Sequence, residues 1–111
     1  MTMVVGQGVE VARRVGWPVA SFSTMEEWIG EIRFSQAVED KLLMKHDLTP
    51  AQVKAAVACG AHDWARWDTH SIYGRRLILG GSDAEGPMVV YLRPVDRRDG
   101  LWECLTAWRT G

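Results

Sequence analysis

The stretch Lys41 to Val57, KLLMKHDLTPAQVKAAV, holds the end of one helix and the start of another, and the short join between them constrains the fold. Thr49, Pro50 and Gln52 stand at the N-cap, N1 and N3 positions, which is a capping box with proline in the first turn. Val53, Ala56 and Val57 supply the buried face of this second helix, and Gly60 its stop. Upstream, Ser35 suits an N-cap, and Glu39 and Asp40 fall in the early turns, where a helix dipole favours acids. Val38, Leu42 and Leu43 recur at helical spacing, predicting a helix from about Gln36 to His46 with one apolar stripe. Only Asp47 and Leu48 separate the two helices, so they must form a tight hairpin or corner.

Before the helices, the residues from Trp28 to Phe34, WIGEIRF, have the aromatic and β-branched content of a short strand. After them come three strand-like runs, Arg75 to Gly81, Met88 to Arg93 and Leu101 to Trp108. Short polar joins ending in Gly86 and Gly100 suit antiparallel hairpins, and Trp64 to Thr69 adds a possible further strand. The expected class is therefore α+β: a short strand, two helices, then a three- to four-stranded antiparallel meander with the helices packed on one face. Residues 1–25 read differently, being broken by Gly6, Gly8, Gly16 and Pro18, and are expected to be an appendage to a domain over 26–111. Within them, Val4 to Val15 has no clear period and fits a weak strand or a short helix.

A chain of 111 residues is the size of one ordinary domain, and its net charge of -1 argues against a strongly basic nucleic-acid coat while allowing a local basic groove. From Trp64 onward every lysine or arginine is an arginine, whose planar fork suits phosphate. Six tryptophans stand out; core packing is the first expectation for most of them, with base stacking the functional alternative. Cys59 and Cys104 are far apart and form no C-x-x-C pair, so neither a disulfide framework nor a zinc site is implied, and a reducing cytoplasm fits best. The first residues lack the order of a signal peptide, and no run approaches the ~20 apolar residues that span a bilayer.

The adjacent pair Lys45-His46 has two readings. Cations at a helix C-terminus are stabilised by the dipole, which needs no function. Alternatively, an imidazole exchanges protons near neutrality and a neighbouring ammonium holds phosphate, which is what RNA cleavage without a metal requires. The segment His62 to His70, HDWARWDTH, raises a metal site, but its spacing matches no ligand signature; a polar loop with tryptophans folded back on the core, or a base-stacking loop with Trp67 beside Arg66, fits it better. Arg75 and Arg76 open a strand and so point to opposite faces, leaving at most one for any given site. Arg109 follows the last strand, where a frayed surface arginine is the plain reading. Gly80-Gly81 belongs to no nucleotide-binding fingerprint, and no serine sits in a nucleophile elbow.

Taken in order, the strand ending at Phe34, the stretch Lys41 to Val57, WDTHSIYGRRLILGGSDAEGPMVVYL from Trp67 to Leu92, and WECLTAWR from Trp102 to Arg109 resemble the BrnT-like branch of the RelE/ParE toxin superfamily. The resemblance implies a RelE-like sheet with two helices, and the activity of a type II toxin: a cytoplasmic, metal-independent endoribonuclease acting on mRNA and silenced by an antitoxin. It matches Lys45 and His46 to the family's helix-borne pair, Arg75 or Arg76 to its strand arginine and Arg109 to its C-terminal basic position. The expected catalytic set is Lys45, His46, Arg76 and Arg109, and the residue reading adds Arg66, Trp67, His70 and Arg75 as RNA contacts, with no cofactor. The family often carries arginine where this chain has Pro87 and Trp108, which motivates a second expectation: a catalytically silent module of the same fold that binds a protein or nucleic acid.

Overall fold

A computed structural model describes residues 27–111, so residues 1–25, the Val4 to Val15 segment and Trp17 lie outside the described residues. The elements are β1 (Glu31–Arg33), α1 (Gln36–His46), α2 (Pro50–Val57), β2 (Trp64–His70), β3 (Gly74–Asp83), β4 (Gly86–Asp96) and β5 (Leu101–Arg109), with a 3₁₀ turn over Ala58–Gly60 after α2. The strands make one sheet in the order β1-β5-β4-β3-β2. Strand β1 runs parallel to β5, and the other pairs are antiparallel. The chain is thus α+β, with two helices and a five-stranded mixed sheet. Trp64 to His70 is a full strand, which lengthens the meander to four.

Local chemistry sets the helix limits. The Ser35 hydroxyl accepts from the Val38 N–H at 3.1 Å and opens α1. Asp47, at φ 54°, closes it in the left-handed region that aspartate tolerates better than most residues, and the Leu48 N–H returns to the Leu42 carbonyl. Leu48 itself is fully buried, so the two-residue corner is pinned from inside. The Thr49–Gln52 capping box is fully formed at the start of α2. Helix α2 ends at Val57, before Gly60, because Ala58 is already extended.

One face of the sheet and both helices build the core. Leu42 of α1 and Val53, Ala56 and Val57 of α2 join Leu77, Leu79, Val90, Leu92, Trp102 and Cys104 in a single cluster. Leu43 departs from its expected place in the α1 stripe: it is 58% exposed, because it lies a further 100° around the helix from Leu42. Adjacent glycines in β3 let both sides of the sheet be approached closely. A Cβ at Gly81 would stand 2.0 Å from the Ala56 carbonyl oxygen of α2, and one at Gly80 would stand 2.1 Å from Trp64 Nε1 on the other face.

The tryptophans correct the expectation that most are core. Trp102 is fully buried, whereas Trp28 and Trp64 are 53% and 42% exposed and Trp67 and Trp108 are half-buried. Strand alternation explains Trp64, whose partner Gly80 faces away from the helices. A bulge explains Trp108. In β5, Tyr91 pairs with Thr106 and Leu92 with Cys104, so Leu105 is an extra residue and the alternation changes phase beyond it.

Candidate nucleic-acid interface

Cross-strand register assigns the face opposite the core. Trp64, Gly80, Val89 and Trp108 form one row across β2 to β5, and Arg66, Ile78, Tyr91 and Thr106 form the next. Asp68 pairs with Arg76, and Arg93 with Glu103, in the row after that. Apart from the buried Ile78 and Gly80, the side chains on this face are exposed or half-exposed. Aromatic rings and guanidinium groups on an open sheet are a surface suited to stacking bases and holding phosphates.

Helix α1 borders this face, because β1 covers only Leu101 to Glu103 of the β5 edge and leaves the rest to the helix. There Lys41 Nζ donates to the Leu105 carbonyl at 3.1 Å, across the bulge. One turn and a half further along, the His46 ring lies 6.5 Å from the Trp108 ring, which lies 5.2 Å from Tyr91. The Arg76 guanidinium sits 4.7 Å over that same tyrosine. His46 and Arg76 are thereby placed at two ends of one aromatic floor, made of Trp108 and Tyr91.

Arg76 is already partnered. Its Nε and Nη2 donate to the two Asp68 carboxylate oxygens at 2.9 and 2.7 Å, and this hydrogen bonding lowers the Asp68 pKa and raises that of Arg76. A phosphate arriving here meets an oriented fork shared with a carboxylate rather than a free cation. Lys45 is exposed on the last turn of α1, and its side chain makes no hydrogen bond or ion pair among the described residues.

The remaining residues singled out from the sequence divide between two surfaces. Arg66 is on the open face, exposed, while Trp67 next to it faces the core side, with its ring 5.9 Å from Trp102. Arg75 stacks on that ring at 4.2 Å and Arg97 at 4.9 Å, so Arg75 and Trp67 serve each other away from the His46 surface. Arg66 and Trp67 therefore do not form one stacking unit, because adjacent strand residues point opposite ways. His70 caps a turn: its Nδ1 accepts from the Ile72 and Tyr73 N–H groups at 3.0 and 3.3 Å. His62 and His70 are separated by the whole of β2, about 20 Å of extended chain. Among the described residues no group of three histidine, cysteine, aspartate or glutamate side chains is placed to hold a metal. Burial pushes the Cys104 thiol up to about 12, which keeps it protonated at neutral pH.

Arg109 is not a frayed end. Its Nη1 and Nη2 donate to the Asp83 carboxylate at 2.9 Å each, and Nη1 also reaches the Gly86 carbonyl at 3.2 Å. The guanidinium thus locks the β3–β4 hairpin, away from the aromatic floor. The hydrogen bond from Arg109 holds the Asp83 carboxyl down at about 2, against an ordinary 3.8. A carboxylate with a depressed pKa stabilises the fold above its ordinary range and loses that contribution as pH falls through its folded value. The stability difference between wild type and Asp83→Asn should therefore be constant above the ordinary carboxylate range and shrink from there toward about pH 2. Urea midpoints measured across that interval check it; a difference that stayed constant throughout would remove Asp83 as the titrating group.

No protein family, curated relative or solved structure matches this chain.

Sequence reading missed Tyr91, Trp108, Asp68 and Lys41 as members of this region. Tyr91 had a signal, since Val89, Tyr91 and Arg93 alternate with the apolar Met88, Val90 and Leu92. The others depend on register and on a bulge, which no local pattern announces. No described helix is long and apolar enough to cross a membrane.

Proposed function

We propose that the open sheet face binds single-stranded RNA and that His46 cuts it without a metal, as the toxin component of a type II toxin–antitoxin pair in the cytoplasm. The observation that carries this reading is the joint approach of His46 and Arg76 to the floor of Trp108 and Tyr91. In such a cut the ribose 2′ oxygen attacks phosphorus and the 5′ oxygen leaves, giving a 2′,3′-cyclic phosphate and a 5′-hydroxyl end. His46 takes the 2′-hydroxyl proton, and the departing oxygen takes a proton from solvent. Arg76 and Lys45 offset the charge that develops on the phosphate oxygens. Trp108 and Tyr91 hold the flanking bases by stacking.

A second reading, a silent module of the same fold that binds RNA or protein, is favoured by the ion pairs of Arg76 with Asp68 and Arg109 with Asp83, which occupy two of the four residues of the expected catalytic set. One experiment separates the two readings. Purified chain is incubated with single-stranded RNA in the presence of a metal chelator, and the same chain is expressed in cells without a partner. Cleavage to cyclic-phosphate ends and growth arrest are expected. Intact RNA that is nevertheless retained by the protein points to the module, and harmless expression with neither binding nor cleavage rejects the RNA reading.

A further inference from the structure

Between the first turns of α1 and the open face lies a groove of about 510 Å³, within the ~300–1,000 Å³ range of small-molecule sites. Val38 and Lys41 line it from the helix, Arg93 and Glu103 from the sheet, Tyr73 from the β2–β3 turn, and Ser35 stands at its end. Its charges do not cancel. Arg93 and Glu103 neutralise each other through a hydrogen bond of 2.6 Å, whereas Lys41 pairs with no carboxylate among the described residues. The Lys41 ammonium has three N–H donors and its contact in the structure is the Leu105 carbonyl, so a half-buried positive charge is left with donors to spare. An anion is the ligand that satisfies it. Opposite, the Tyr73 ring is steadied by His70 at 5.0 Å and is still 50% exposed, which leaves an aromatic surface for a second ring.

We infer that this groove is a nucleotide subsite, with the phosphate on Lys41 and the base stacked on Tyr73. The choice of ligand rests on the RNA reading above, and the groove adds base selection to it. Lys41 lies five residues before His46 on α1, about 7.5 Å along the axis, so the nucleotide held here neighbours the one that His46 meets. Glu103, at the groove wall, is an acceptor for a base amino group, which gives the subsite a means of preferring one base over another.

The test is titration of the full chain with adenosine and uridine 5′-monophosphates and with inorganic phosphate, followed by backbone NMR. Nucleotides are expected to move the signals of Lys41, Tyr73 and Glu103 and to bind more tightly than phosphate. Tyr73→Ala, at an exposed turn position, is expected to weaken nucleotide binding roughly tenfold, while Tyr73→Phe retains it. In Lys41→Gln the advantage of a nucleotide over its nucleoside should vanish. Phosphate binding as tightly as the nucleotides, no nucleotide binding at all, or equal binding by Tyr73→Ala would each overturn the subsite. These readouts need no RNA cleavage. Nucleotide binding by a chain that leaves RNA intact removes the nuclease and keeps the subsite; RNA cleavage with an unchanged cut pattern in Tyr73→Ala removes the subsite and keeps the nuclease.

Discussion

Replacing His46 by alanine is expected to lower the rate of RNA cleavage by about 10²–10⁴-fold, the range over which a positioned proton-transfer group contributes. The imidazole stands at the last residue of α1, half-buried, with its ring against Trp108, and no other described histidine reaches the aromatic floor. His70 is committed to its turn and His62 faces the Val57 carbonyl, so neither replaces it. The loss should appear in the cleavage rate with little change in RNA binding, because Trp108, Tyr91 and Arg76 remain. Folding should hardly notice, because the ring contact of the imidazole is with Trp108 at 6.5 Å, outside the buried core. Lys45→Ala combined with His46→Ala should relieve growth arrest on expression. Single-turnover cleavage, RNA binding and urea midpoints measured on the same preparations give the decisive comparison. A His46→Ala chain that cuts RNA at the wild-type rate would remove His46 from the chemistry.

Trp102→Ala should act on the other side of the sheet and on stability alone. Trp102 is the largest fully buried side chain among the described residues, packed near Trp67, and its Nε1 donates to the Trp28 carbonyl at 2.9 Å. Truncating a buried tryptophan costs about 3–5 kcal/mol, and the carbonyl left without its donor adds to that. Against a total of ~5–15 kcal/mol for a small domain, such a loss leaves a marginal or unfolded chain. Trp102→Phe, which removes the donor and part of the ring volume, should cost less, about 1–3 kcal/mol. Urea unfolding followed by circular dichroism measures both. Equal midpoints for wild type and Trp102→Ala would mean that the β1–β5 side of the core does not hold the domain together.

What the sequence made legible was chiefly local. The capping box at Thr49 and the helix limits at Ser35 and His46 depend on residues within one turn of each other, and the structure has them where they were expected. The opposed directions of Arg75 and Arg76 likewise follow from the two-residue period of a strand. Trp108 shows where that period fails. It shares even numbering with the buried Trp102 and Cys104, so unbroken alternation would bury it with them; the extra residue at Leu105 inverts the phase. Arg109 and His70 have partners that the sequence did not announce. Both were assigned to RNA chemistry, but each is engaged with nearby backbone or side-chain groups whose closeness depends on hairpin geometry. The groove beside Lys41 had no sequence signature, since its walls come from a helix, two strands and a turn.

The paired glycines of β3 fix how thick the molecule is at its middle. With hydrogen atoms in place of side chains at 80 and 81, the helix layer on one side and an indole on the other come within contact distance of the same short piece of backbone. Even the smallest side chain, an alanine methyl, would have to move either α2 or Trp64, and with them the spacing between the helix layer and the aromatic row beside Trp64. Position 81, where the obstacle is the Ala56 carbonyl of the helix backbone, is thus closed to any side chain although it carries no chemistry of its own, whereas at 80 a methyl would have to displace the partly exposed Trp64 ring.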